Sequence, residues 1–67
     1  MVLYKIGDRV RVITLAGETG RVISVQASPE LDTLGAKDPL FYKFRGYVVK
    51  LDGSETQLVR GMDLEPE

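Results

Sequence analysis

The stretch Gly7-Asp8-Arg9-Val10-Arg11-Val12-Ile13-Thr14-Leu15, the turn Ala16-Gly17-Glu18-Thr19-Gly20, and the run Arg21-Val22-Ile23-Ser24-Val25-Gln26 decide the fold. Val10, Val12 and Thr14 alternate with Arg9, Arg11 and Ile13. A period of two, rich in β-branched residues, predicts a strand over 8–15 that starts at the Gly7-Asp8 turn. The glycines of 16–20 supply positive φ at little steric cost, so the chain reverses there. A second strand is predicted over 21–26. Both neighbours of Ser24 are apolar, and a β-bulge near Gly20 or a two-sided strand accounts for that lapse in alternation.

Downstream the pattern stops. Residues 27–43 hold two prolines, a glycine and three acids. Ser28-Pro29-Glu30 carries a cap, a proline at the first helical position and an early acid. It predicts a helical turn at 29–34 inside a long loop that Gly35 ends. A third strand is expected over 44–51, with Tyr47, Val49 and Leu51 on one face. Asp52-Gly53 is a hairpin signal. A fourth strand is expected over 56–60, a short turn at Gly61-Met62-Asp63, and a closing strand at Leu64-Glu65. The expected fold is all-β: one domain, 1–67, in which five short strands close into a small barrel, with the long loop between strands two and three. The expected core is Val10, Val12, Val22, Val25, Tyr47, Val49, Leu51, Leu58 and Leu64.

Composition narrows the function classes. The 67 residues contain no cysteine and no histidine, which excludes disulfide staples, thiolate metal sites and histidine general bases. No apolar run is long enough to span a bilayer and no leader is evident, so a soluble, stand-alone cytosolic domain is expected, without membrane insertion. Nine basic groups face ten acidic ones for a net charge of −1. The balance is uneven along the chain. Residues 1–25 carry Lys5, Arg9, Arg11 and Arg21 against Asp8 and Glu18, whereas 51–67 carry five acids against Arg60.

The order Gly7-Asp8-x-Val10-x-Val12, a glycine turn, Gly20-x-Val22-x-x-Val25, Tyr47-x-Val49-x-Leu51-Asp52-Gly53 and Asp63-Leu64 resembles the SH3-like barrels. Its first half is similar to the KOW motif of ribosomal proteins and NusG-type transcription factors, which implies nucleic-acid binding. The loop of that motif is usually basic, whereas Ile13 to Glu18 holds no basic residue. Gly7-Asp8-Arg9-Val10-Arg11, Gly20-Arg21-Val22-Ile23 and Gln57-Leu58 also resemble the plasmid-encoded type II dihydrofolate reductases, which implies a homotetramer with a central pore. Val12 stands where that family has a lysine, and Val59 replaces its tyrosine. The opening 7–12 and the ending Asp63-Leu64-Glu65-Pro66 are similar to small SH3-like accessory subunits of photosynthetic electron-transfer complexes, which implies docking without chemistry.

The candidate binding stretch is Phe41-Tyr42-Lys43-Phe44-Arg45-Gly46-Tyr47, which holds four of the five aromatic residues. Aromatic anchors beside Lys43 and Arg45 suit a protein partner, and they also suit stacked bases and phosphates. The competing structural reading puts Phe44 and Tyr47 in the core and Phe41 at the barrel end. Arg9, Arg11 and Arg21 form a second candidate patch, or else the polar face of half-buried strands paired with Glu18 or the acidic C-terminus. Asp52, Glu55, Asp63 and Glu65 read as solvated carboxylates. Ser24, Ser28 and Ser54 lack an activating partner. The expected function is a non-enzymatic interaction module or accessory subunit, with no cofactor or metal. Phe41, Tyr42, Lys43, Arg45, Arg9, Arg11 and Arg21 are its partner-binding residues. A KOW-type nucleic-acid binder is the alternative, and self-association is compatible with either.

Overall fold

The structure is a computed structural model that describes residues 3–26, 39–53 and 55–67. The helical turn expected at 29–34 lies outside the described residues. Five strands form one antiparallel sheet: β1 (Arg9–Val12), β2 (Glu18–Val25), β3 (Gly46–Leu51), β4 (Thr56–Arg60) and β5 (Leu64–Pro66), in the order β4-β3-β2-β1-β5. Among the described residues a short α-helix, α1 (Pro39–Phe44), leads into β3. The ladder is an open sheet with β4 and β5 at its edges, and no ladder joins those two among the described residues. Among the described residues, no helix is long and apolar enough to cross a membrane.

β1 ends at Val12, and Ile13–Leu15 turn into a 3-10 helix rather than continuing the expected strand. Ala16 (φ 56°) and Gly17 (φ 74°) then take left-handed conformations that swing the chain back. Gly17 N–H closes the reversal on Val12 O at 3.1 Å. Gly20 is not a turn residue but a buried strand residue. It pairs with Val10 on one side and Leu51 on the other.

The long β2 serves both halves of the sheet. Residues 18–21 pair with β1 and residues 20–25 pair with β3. The expected bulge exists, but it falls at Ile23, because Val22 opposes Val49 while Ser24 opposes Val48. An extra residue bends its strand and raises the local twist.

Tyr4, Val10, Val12, Val22, Tyr47, Val49, Leu51, Val59 and Leu64 form the core, and Leu15 and Val25 pack against it. Burying such large apolar side chains contributes about 1.5–3 kcal/mol each. Leu58, expected inside, is 53% exposed, and Val59 takes its place. Register decides this: inward Tyr47 opposes Val59, whereas outward Val48 opposes Leu58. The third strand begins at Gly46 rather than Phe44, because Pro39 opens a helix through Phe44. Proline suits a first helical position, where its missing N–H is no loss.

Gly20 sets how closely the strands pack. A Cβ there would sit 2.5 Å from Lys50 O and 2.9 Å from Leu51 Cα. Backbone cannot yield as a side-chain tip can. Gly20→Ala is expected to destabilise the fold by about 3 kcal/mol, the upper end of overpacking. Gly53 is the control, since a Cβ added there would meet nothing within 4 Å. Gly53→Ala is expected to stay within about 0.5 kcal/mol, as open surface changes do. Thermal denaturation of both variants checks the contrast.

Candidate functional site

Tyr47 is the largest fully buried side chain and lies at the start of β3. Its hydroxyl accepts the Tyr4 backbone N–H at 3.4 Å, and the two rings meet edge to face with centroids 5.4 Å apart. Burial is the main cause that pushes the Tyr4 phenol above its ordinary pKa, so that ring stays neutral. The segment 3–6 is held over the core end by a local turn. Lys5 N–H donates to Asp8 Oδ2 at 2.8 Å, and Asp8 N–H donates to Lys5 O at 3.0 Å.

Between this segment and α1 lies an open, mainly apolar recess of about 450 Å³. Tyr4, Tyr47 and Val25 line its deep side. Leu3, Lys5 and Ile6 line one flank, and Phe41 with Arg45 the other. The Arg45 guanidinium carbon sits 5.0 Å from the Phe41 ring centroid, a cation–π arrangement. Ile6 is 68% exposed and Leu3 40% exposed, so apolar surface continues outward from the recess.

The aromatic-basic stretch is therefore divided. Tyr47 belongs to the core, in line with the structural reading of that stretch. Phe44 is exposed rather than buried, and Lys43 is exposed. Phe41 and Arg45 are half-buried at the recess. Tyr42 lies in α1, and its side chain lies outside what the structure describes. The flank 3–6 carries no sequence signal beyond Tyr4, the one aromatic residue outside 41–47.

The arginines are not gathered at this recess. Arg9 donates to both carboxylate oxygens of Asp52 (2.8 Å each) and to Glu67 Oε2 (2.8 and 3.1 Å). Arg11 pairs with Glu65 at 3.1 Å. The pairs with Glu67 and Glu65 follow from β1 lying beside β5, which brings the acidic C-terminus alongside, whereas Asp52 reaches Arg9 from the β3–β4 turn, held to β2 by its N–H to Thr19 O (3.0 Å). Arg21 is exposed and opposes Lys50 across the ladder. Asp52 is exposed but is not an ordinary solvated carboxylate. Hydrogen bonds from Arg9 and then from the Thr19 hydroxyl (2.6 Å) hold its pKa well below the usual range. The hydrogen bonds to Asp52 and Glu67 raise that of Arg9.

Comparison with protein-family models, curated proteins and solved structures finds no match for this chain.

The Arg9–Asp52 pair gives a titration with a definite sign. Its hydrogen bonds favour the charged carboxylate. Their contribution to stability is present above the ordinary aspartate pKa of about 3.9 and is lost as pH falls below it toward the depressed folded value. In a carboxyl-carbon NMR titration, Asp52 of the native chain is expected to titrate well below the ordinary aspartate value. Arg9→Gln is expected to return it toward the ordinary range. An unchanged Asp52 titration in that variant contradicts the pairing.

Proposed function

We propose that this chain is an SH3-like interaction module without chemistry of its own, which docks an extended segment of a protein partner in the recess between 3–6 and α1. The strand order, the bulge that bends β2, and the short 3-10 turn at 61–63 between β4 and β5 support the SH3-like reading. The observation that carries the function is the recess itself. Its lining is apolar and aromatic, and Lys5 and Arg45 stand on its flanks. Such a site suits an apolar anchor flanked by carboxylates, with the anchor supplying contact area and the charges supplying orientation.

A phosphate-tracking surface fits the charges less well. Affinity for nucleic acid rests on several cations offered together, and Arg9 and Arg11 are engaged by Asp52, Glu67 and Glu65. Accordingly, the partner-binding residues reduce to Phe41 and Arg45, joined by Leu3, Lys5 and Ile6, with Lys43 outside the recess as a steering charge.

The test is an amide NMR titration with two probes: a synthetic peptide with an aromatic anchor between glutamates, and a mixed-sequence single-stranded oligonucleotide at low salt. The peptide is expected to shift Leu3, Lys5, Ile6, Val25 and Phe41, and Lys5→Glu is expected to weaken it without changing the melting temperature. Salt-sensitive oligonucleotide shifts at Arg21, Lys43 and Lys50, with a silent peptide, overturn the reading in favour of nucleic acid.

A further inference from the structure

The two edges of the sheet are built differently. Hydrogen-bonded pairs alternate along an antiparallel ladder, and residues between them turn their N–H and C=O outward. On β4 the phase is fixed by two bonds: Leu51 N–H to Glu55 O (2.7 Å) and Gly61 N–H to Arg45 O (2.9 Å). With the β3–β4 register, Gln57 and Val59 therefore bond β3, and the backbones of Thr56, Leu58 and Arg60 face away. On β5 the Glu67 N–H to Arg9 O contact fixes the phase, so Leu64 and Pro66 face away from β1. The Leu64 N–H is already given to Gly61 O, and proline has no N–H. Among the described residues, the β5 edge thus has no outward donor left, while β4 has three.

β4 also lacks the usual protections of an edge. Thr56-Gln57-Leu58-Val59-Arg60 contains no lysine, no proline and no inward-pointing charge. Its outward face carries Leu58, which is 53% exposed. The one charged side chain, Arg60, is drawn back, donating to Phe44 O at 3.0 Å.

We propose that the β4 edge is a homodimer interface, in which β4 of a second copy pairs antiparallel about a two-fold axis at Leu58. This register alone uses all three outward residues of both strands: Leu58 opposite Leu58 of the second copy, and Thr56 opposite Arg60 in each direction. Each is a pair that exchanges two hydrogen bonds. No like charges oppose one another, and the two Leu58 side chains meet on one face. The sealed β5 edge ends the assembly at two copies, because an isologous contact consumes the open edge of each chain. None of the three outward residues of β4 lines the recess.

Sedimentation equilibrium of the full chain over a wide concentration range is expected to show twice the chain mass. Leu58→Lys and Leu58→Glu, each placing like charges opposite one another, are expected to be monomeric with unchanged circular dichroism. Mixing the two is expected to restore the dimer. Should a variant fail to fold, the native chain supplies the reading. Its Thr56 and Leu58 amides are expected to exchange more slowly as concentration rises, while Gln57 and Val59 stay slow throughout. A dimer that survives both Leu58 variants overturns the proposal. So does a native chain that stays monomeric with fast Thr56 and Leu58 amides, which leaves the edge to a foreign strand.

Discussion

The buried Tyr47 is the side chain that the core and the candidate site share. Its ring fills the core end where β2 and β3 meet, and its hydroxyl accepts the Tyr4 N–H, which together with the Gly7 N–H to Val22 O bond (2.7 Å) ties the N-terminal segment to the sheet. An edge-to-face aromatic pair contributes about 0.5–1.5 kcal/mol beyond area burial. A buried amide left without its acceptor costs about 1–3 kcal/mol. One side chain therefore belongs to the core and shapes the recess. Stability and the shape of the recess are coupled through it, as expected in a domain with so small a core.

The same residue sets the outer surface. Because Tyr47 points inward, its ladder partner Val59 must do so too, and Leu58 is turned to solvent at the open edge. Across β3, the bulge at Ile23 shifts the register, so that Ser24 rather than Ile23 opposes Val48 and Ile23 is left exposed. Tyr47 lines the concave recess, and the same inward turn leaves Leu58 exposed on the edge strand. Arg9 and Arg11 take another role. They join the acidic C-terminal strand to β1 and, through Asp52, to the β3–β4 turn. Exposed pairs of this kind are screened by salt and add modestly to stability.

Much of this is legible in the residues. The alternation at Val10 and Val12, the Tyr47-Val49-Leu51 face, the β4 span and the C-terminal partners of Arg9 and Arg11 all follow from local pattern and charge. The side on which Leu58 lies is not legible, because a five-residue strand with apolar residues at two adjacent positions fits either face, and only its pairing with β3 decides. The bulge falls three residues later than expected, because alternation shows that an extra residue exists but not where the ladder absorbs it. α1 escapes the sequence pattern although Pro39 is a first-position signal, since its aromatic residues also suit a strand. The recess flank is invisible for a different reason: Tyr4 and Tyr47 meet across 43 positions of chain, and no local pattern encodes such a contact.

Amide hydrogen exchange on Tyr47→Phe tests the role of the buried tyrosine most directly. The substitution keeps the ring and removes only the oxygen that accepts the Tyr4 N–H. Faster exchange at Tyr4, unchanged protection at Val10, Val22 and Val49, and a loosened flank at Leu3 and Ile6 are expected. Unchanged exchange at Tyr4, with the flank as ordered as before, would contradict that role. The recess would then owe its shape to something other than the buried tyrosine.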